Sequence, residues 1–214
     1  MKDILDLYAQ PLDTLHPLVC FDEQSVQLLA DSRVPLPMKP GRPRRQDHEY
    51  VRQGTRNVFM CVEPHAGRRH VLVTQRRTKE DFAKVIRYLV DVVYPHAEYL
   101  SLVLDNLNTH TVETLIEIYG KAEADRLMSK LRFHYTPVHA SWLNIAEIEL
   151  SAMTRQVLSR RIPCEWTLTL ELIAWEYERN QLAIPIKWSF DWKRAKRVFA
   201  EQIGELRGRA TLQN

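Results

Sequence analysis

Two short apolar runs that each end on an aspartate constrain this chain more than any other feature: Leu18-Val19-Cys20-Phe21-Asp22, and Leu100 to Leu104 followed by Asp105. Apolar runs of this length suit strands buried in an α/β sheet. Such sheets bind ligands at their strand ends, so both aspartates are expected at a sheet edge. If the two strands are neighbours, the carboxylates face each other and repel unless a cation or a proton intervenes. A hard divalent ion such as Mg²⁺, held by a few carboxylates and water, is the natural solution. Either aspartate alone reads equally well as a strand end or a turn cap. The repetition is what marks the pair.

The rest of the chain supplies the framework for those strands. A helical lead-in over Met1 to His16 stops at Pro17. From Ser32 to Gly54, Pro35, Pro37, Pro40 and Pro43 stand among basic residues, which predicts a long exposed loop. Asn57 to Val62 and His70 to Thr74 read as a hairpin about Pro64-His65-Ala66-Gly67. A helix capped by Thr78 carries Phe82, Val85, Ile86, Leu89 and Val93 at helical spacing. A second runs from Thr111 to Tyr119 and closes at Gly120. Leu131 to Tyr135 alternates like a strand, and Ser141 to Arg161 and Glu165 to Gln181 read as two long helices. A strand plus hairpin, followed by strand–helix–strand units, predicts an α/β domain with a mixed sheet flanked by helices.

A third acid to complete the site is expected on the helix after Pro137, where Glu147 and Glu149 stand. They lie about 200° apart around a helix, so one site does not easily use both. Trp142, Ala146, Leu150, Met153 and Val157 form the expected core stripe, and Glu147 shares a polar stripe with Asn144, Ser151 and Thr154. That leans to Glu147, although Asn144 and Glu147 also have the spacing of a capping box. Periodicity alone leaves the choice open. The polar cluster after Asp105, Asn106 to His110, either orients the acids or forms a side-chain-bonded turn.

Net charge is only +3 over 214 residues, but its distribution is uneven. Arg33 to Arg56 carries seven basic residues against two acidic ones, and Lys187, Lys193, Arg194, Lys196 and Arg197 form a second cluster. Two clusters in one chain tilt the reading towards a polyanionic partner. Cys20, Cys61 and Cys164 are odd in number and far apart, so neither a disulfide framework nor a zinc knuckle is expected. Nothing resembles a signal peptide or a membrane span, which points to a soluble, cytoplasmic protein.

CFDEQS, VLDNLNTH and TPVHASWLNIAEIEL resemble the three catalytic blocks of DDE transposases of the mariner-like superfamily, in its bacterial insertion-sequence branch. The third block is the most specific, and the resemblance runs from about Pro17 to about Phe199. It implies an RNase H-like fold over residues 17–200, with 1–16 as lead-in, 33–56 as a basic clamp-like loop and 201–214 as a tail. Position by position it implies Asp22, Asp105 and Glu147 as the catalytic, metal-binding acids, choosing Glu147 over Glu149. Asn106, His110, His139, Trp142 and Asn144 match positions around the site, as residues that orient the acids or touch DNA. Arg42, Arg44, Arg45, Arg52 and Arg56 are the expected DNA-binding side chains. Between the second and third acids lie 147 − 105 = 42 positions, somewhat more than in well-known mariner relatives, and Lys121 to Ser129 accounts for the excess.

The implied activity is metal-dependent DNA cleavage and strand transfer with two Mg²⁺ or Mn²⁺ ions, by a homodimer on transposon-end and target DNA. No helix-turn-helix pattern precedes Asp22, so either an upstream frame encodes that partner module or the gene is a truncated copy. Two alternatives stand beside this reading. One is an RNase H-like nuclease that cuts without joining; the other is an inactive fragment that only binds DNA or dimerises.

Overall fold

Alternating apolar and polar residues carry the first strand far beyond Asp22. In the computed structural model, which describes residues 1–200, β1 spans Leu18–Asp31. Val26 and Leu28 are buried while Ser25 and Gln27 are exposed, the two-residue period that keeps the chain extended. β2 (Tyr50–Glu63) pairs antiparallel along it, with a bulge between Gln27 and Leu29. β2 therefore begins at Tyr50 instead of Asn57, and the proline-rich loop shortens to residues 32–49. Inside that loop Leu36 bridges Arg45 and Lys39 bridges Arg42, which folds it into a narrow finger. The single helix expected from Ser141 to Arg161 is also corrected. The chain makes a 3₁₀ turn over Ser141–Leu143, and α5 occupies Ala146–Gln156.

β3 (Arg68–Thr74) returns along β2 after a turn ending at Gly67. Gly67 has φ +66°, and a Cβ there would lie 2.5 Å from the backbone of Ile184, which crosses the turn. Only glycine fits both conditions. β4 (Leu100–Leu104) lies parallel to β1 on its other side, and β5 (Leu131–Tyr135) lies parallel to β4. The five-stranded order is β3-β2-β1-β4-β5.

Helices cover both faces of this sheet. α2 (Lys79–Tyr88) starts at the capping box of Thr78 and Asp81 and widens into a π turn over Leu89–Val93. α3 (Val112–Tyr119) is capped by Thr111, and α4 (Lys121–Ser129) follows directly after Gly120. Their core takes Val19, Phe21, Phe59, Leu102 and Leu104 from the sheet. The opposite core takes Cys20, Val26, Met60 and Val103 and packs them under α1 (Lys2–Tyr8), α5, α6 (Glu165–Leu182) and α7 (Trp192–Val198). α1 contributes Ile4, Leu5, Leu7 and Tyr8 to that core. Cys20 and Cys61 are buried as small apolar residues, while Cys164 is exposed. The 201–214 tail lies outside the described residues. No helix among the described residues is long and apolar enough to cross a membrane.

Candidate active site

The central parallel pair runs the two aspartates to the same end of the sheet. Leu18 stands against Ser101, Val19 against Leu102 and Cys20 against Val103. Asp22 and Asp105 each lie two positions beyond the last pair, Asp22 within the continuing β1 and Asp105 just past the end of β4. Asp22 Oδ1 accepts the backbone N–H of Glu23 at 2.8 Å. Burial pushes the Asp22 carboxyl up to about 7. The Glu23 N–H opposes the shift, while the negative charges of Glu23, Asp105 and Glu147 add to it.

Glu147 is placed by a bond that the sequence pattern did not reveal. Asn144 is buried, and its Nδ2 donates to the Phe21 carbonyl at 2.7 Å, one residue before Asp22. Its Oδ1 accepts the Ala146 N–H at 3.2 Å. Asn144 is therefore a strap between β1 and α5, and α5 has no side-chain cap at its start. Thr154 Oγ1 donates to Gln24 Oε1 at 3.2 Å, a second tie between α5 and β1. The polar stripe of this helix thus meets β1 at both ends, with half-buried Glu147 between them.

Glu149 is committed elsewhere. Its carboxylate, 3% exposed, accepts Arg69 Nε at 2.9 Å and Arg179 Nη2 at 2.8 Å. Burial alone would raise its pKa, but the two guanidiniums hold it below the usual carboxylate range. This is an ion cluster joining β3, α5 and α6.

On the α2–α3 side of the sheet, His110 is buried between two acids. Its Nδ1 lies 2.6 Å from Asp105 Oδ1, and its Nε2 lies 3.4 Å from Glu23 Oε2. The ring stacks on Phe82 at 4.7 Å and meets Phe21 edge-on at 5.2 Å. Burial alone would lower the His110 pKa; the hydrogen bond to Asp105 and the nearby carboxylates of Asp105 and Glu23 push it up to about 9.

The other expected residues are more dispersed. Asn106 is exposed. His139 is exposed with φ +62°, in the turn leading to the third block. Trp142, expected in the core stripe, is 40% exposed and meets Phe190 edge-on, because the 3₁₀ turn rotates it off the α5 face. Arg42, Arg44, Arg45 and Arg52 are exposed on the finger and its stem, whereas half-buried Arg56 pairs with Glu165. Glu23, Tyr8 and Arg69 do not stand out in the sequence. Alternation along CFDEQ places Glu23 on the face opposite Asp22 and is the one signal that points to it. Tyr8 donates to the Leu143 carbonyl at 2.6 Å, and nothing in the first helix announces that bond.

Among the described residues, no group of three His, Cys, Asp or Glu side chains is gathered closely enough to hold a metal ion. Asp22, Asp105 and Glu147 therefore form no closed cage. Chemically they are all-oxygen donors with an excess of negative charge, the set that suits a hard divalent cation.

The family model described as "DDE superfamily endonuclease" matches residues 17–169. No curated protein matches the chain. Among solved structures, the Mos1 transposase paired-end complex with left transposon end is similar at TM-score 0.51 and 16% identity, over 79% of this chain and 52% of that one. The Mos1 strand transfer complex is similar at TM-score 0.50 and 15% identity, over 85% and 54%. The chain thus spans about half the length of these relatives. Their likeness shows the fold: a mixed five-stranded sheet with helices on both faces, of the RNase H-like kind. With most of its length matched by the family model, the chain belongs to the DDE superfamily endonucleases.

Proposed function

We propose that this chain cleaves DNA and joins the freed 3′ ends to target DNA, as a transposase of the bacterial insertion-sequence branch, with Asp22, Asp105 and Glu147 as its acids. One observation carries the reading. Asp22 and Asp105 each stand two positions past the last paired residues of β1 and β4, at one end of the sheet, and Phe21, next to Asp22, is tied by Asn144 to the start of the helix that carries Glu147. The fold shared with Mos1 transposase supports DNA as the substrate.

Asp22, Asp105 and Glu147 would hold Mg²⁺ or Mn²⁺, and a pair of such ions supplies Lewis acidity to the attacking oxygen and to the leaving 3′ oxygen. The chain's own residues set the stage for that chemistry. The Glu23 N–H fixes one oxygen of Asp22. Asn144 holds the start of α5, the helix that carries Glu147, against β1. His110 binds one oxygen of Asp105. Arg42, Arg44, Arg45 and Arg52 offer exposed guanidiniums to the phosphate backbone, which carries little base information, so target preference is weak. The finger at 32–49 exposes Val34, Leu36 and Met38 beside those arginines, which supports its reading as a contact to DNA or to a second copy in a dimer.

A nicking and strand-transfer assay on duplex DNA with Mg²⁺ or Mn²⁺ tests this. Asp105→Asn should abolish cleavage while melting temperature and DNA affinity are kept. Loss of folding in that variant would make Asp105 a structural residue. Cleavage without joining of 3′-OH ends would make the chain a nuclease only.

A further inference from the structure

Glu23 follows Asp22 directly, and the proposed chemistry gives its side chain no role. That side chain is 3% exposed, and its Oε2 is buried without a hydrogen-bond partner among the described residues. Its nearest cationic neighbours are His110, with Nε2 3.4 Å from Oε2, and Arg77, with Nη1 3.9 Å from Oε1. A buried carboxylate so poorly satisfied is costly to stability, and a native chain that carries one calls for an explanation.

The surroundings supply one. Alternation along β1 sends Glu23 to the same side as Phe21, towards α2 and α3, and away from the side of Cys20 and α5. There it meets the far end of His110. Phe82 and Phe21 fix the plane of that ring, and its near end binds Asp105 Oδ1 at 2.6 Å. A ring clamped in its plane has one remaining freedom, which of its edges faces the aspartate. The Glu23 carboxylate, 3.4 Å from Nε2, sets that choice, since a flipped ring would turn carbon edges towards both carboxylates.

We propose that Glu23 and His110 are positioning residues for Asp105: Glu23 orients the imidazole, and the imidazole holds Asp105 Oδ1 so that its other oxygen is presented to a divalent cation. The inference rests on the metal-binding role proposed for Asp105. It follows the general behaviour of outer carboxylate and histidine partners, which orient metal ligands and whose loss weakens metal affinity about 10- to 100-fold.

The test is Mn²⁺ titration of the full chain followed by electron paramagnetic resonance, with thermal melting in the absence of metal. Wild type should bind Mn²⁺ saturably and Asp22→Asn should not. Glu23→Gln, nearly isosteric, should weaken Mn²⁺ binding about 10-fold or more while its melting temperature holds or rises. His110→Ala should weaken binding similarly, and His110→Asn, which keeps a donor near the Nδ1 position, should recover part of it. Unchanged Mn²⁺ affinity in Glu23→Gln overturns the inference and leaves the metal site standing. A fall in melting temperature without a change in affinity also overturns it and makes Glu23 structural. Absence of saturable Mn²⁺ binding by wild type overturns the metal reading, and this inference with it.

Discussion

Asn144 donates from Nδ2 to the carbonyl oxygen of Phe21 at 2.7 Å, and by that bond the start of α5 is fixed to the strand residue before Asp22. Two acids that lie far apart in sequence thereby share one backbone anchor. Asn144→Ala leaves the Phe21 carbonyl buried without its donor, which costs about 1–3 kcal/mol. It also frees the helix that carries Glu147. Urea unfolding should show the stability loss, and nicking at saturating DNA should fall further than DNA affinity does. Equal losses in both would show that the strap serves folding alone.

Glu147 and Glu149 should separate cleanly by their effects. Removing the Glu149 carboxylate strands Arg69, 2% exposed at its side chain, as an unpaired buried charge, which costs about 3–5 kcal/mol. Glu147→Gln should stop cleavage with little change in melting temperature. Chemical denaturation of the two variants beside a nicking assay measures the division of labour.

The pH dependence of the Glu149 cluster has a definite sign. Its folded-state pKa lies below the unfolded value, because Arg69 and Arg179 outweigh burial. Its contribution to stability is fully present above the unfolded carboxylate pKa and is lost as pH falls through the lower folded value. Wild type should lose this increment on acidification, and Glu149→Gln should lack that part of the acid dependence. A pH series of melting curves for the two proteins measures the difference.

Asp22 behaves in the opposite sense. Its pKa is raised to about 7 by burial and by the neighbouring acids, so the folded state binds the proton more tightly than the unfolded chain. Stability without metal therefore falls as pH rises from the unfolded value towards 7, and levels off above it. Asp22→Asn should raise the melting temperature at pH 8 and change it little at pH 4. An equal shift at both values would remove electrostatic strain as its cause.

The arginines of the finger should differ from Arg56. Exposed Arg42, Arg44 and Arg45 are free to meet phosphates, whereas Arg56 is engaged with Glu165. Removing one phosphate-binding guanidinium should reduce the slope of log affinity against log salt by about 0.9. Fluorescence anisotropy over a salt series should show this for Arg42→Ala and Arg44→Ala. Arg56→Ala should instead lower stability and leave the slope unchanged.

How much of the fold and site was legible in the chain depends on whether the signal was local. The two apolar runs ending at Asp22 and Asp105, the Thr78 capping box and the helix after Pro137 stand in contiguous residues, and periodicity finds them. β1 and β2 run longer than expected because Val26, Leu28 and their partners alternate through a polar, glycine-containing stretch whose composition resembles a loop. α4 and α7 are short and stabilised by packing, so propensity does not announce them. What remained hidden is long-range: Asn144 on Phe21, Tyr8 on Leu143, Arg69 on Glu149, and His110 between Glu23 and Asp105. Among them, the bonds from Arg69 and Arg179 engage Glu149 in an ion cluster, which helical spacing alone does not reveal.

All of the proposed chemistry depends on Asp22, Asp105 and Glu147 sharing one metal site, which a crystal soaked in Mn²⁺ and measured by anomalous scattering would reveal. Anomalous density among those three carboxylates, with Glu149 still paired to Arg69 and Arg179, is expected. Density coordinated by Glu149, or Asp22 and Asp105 found on separated strands, would refute the shared site.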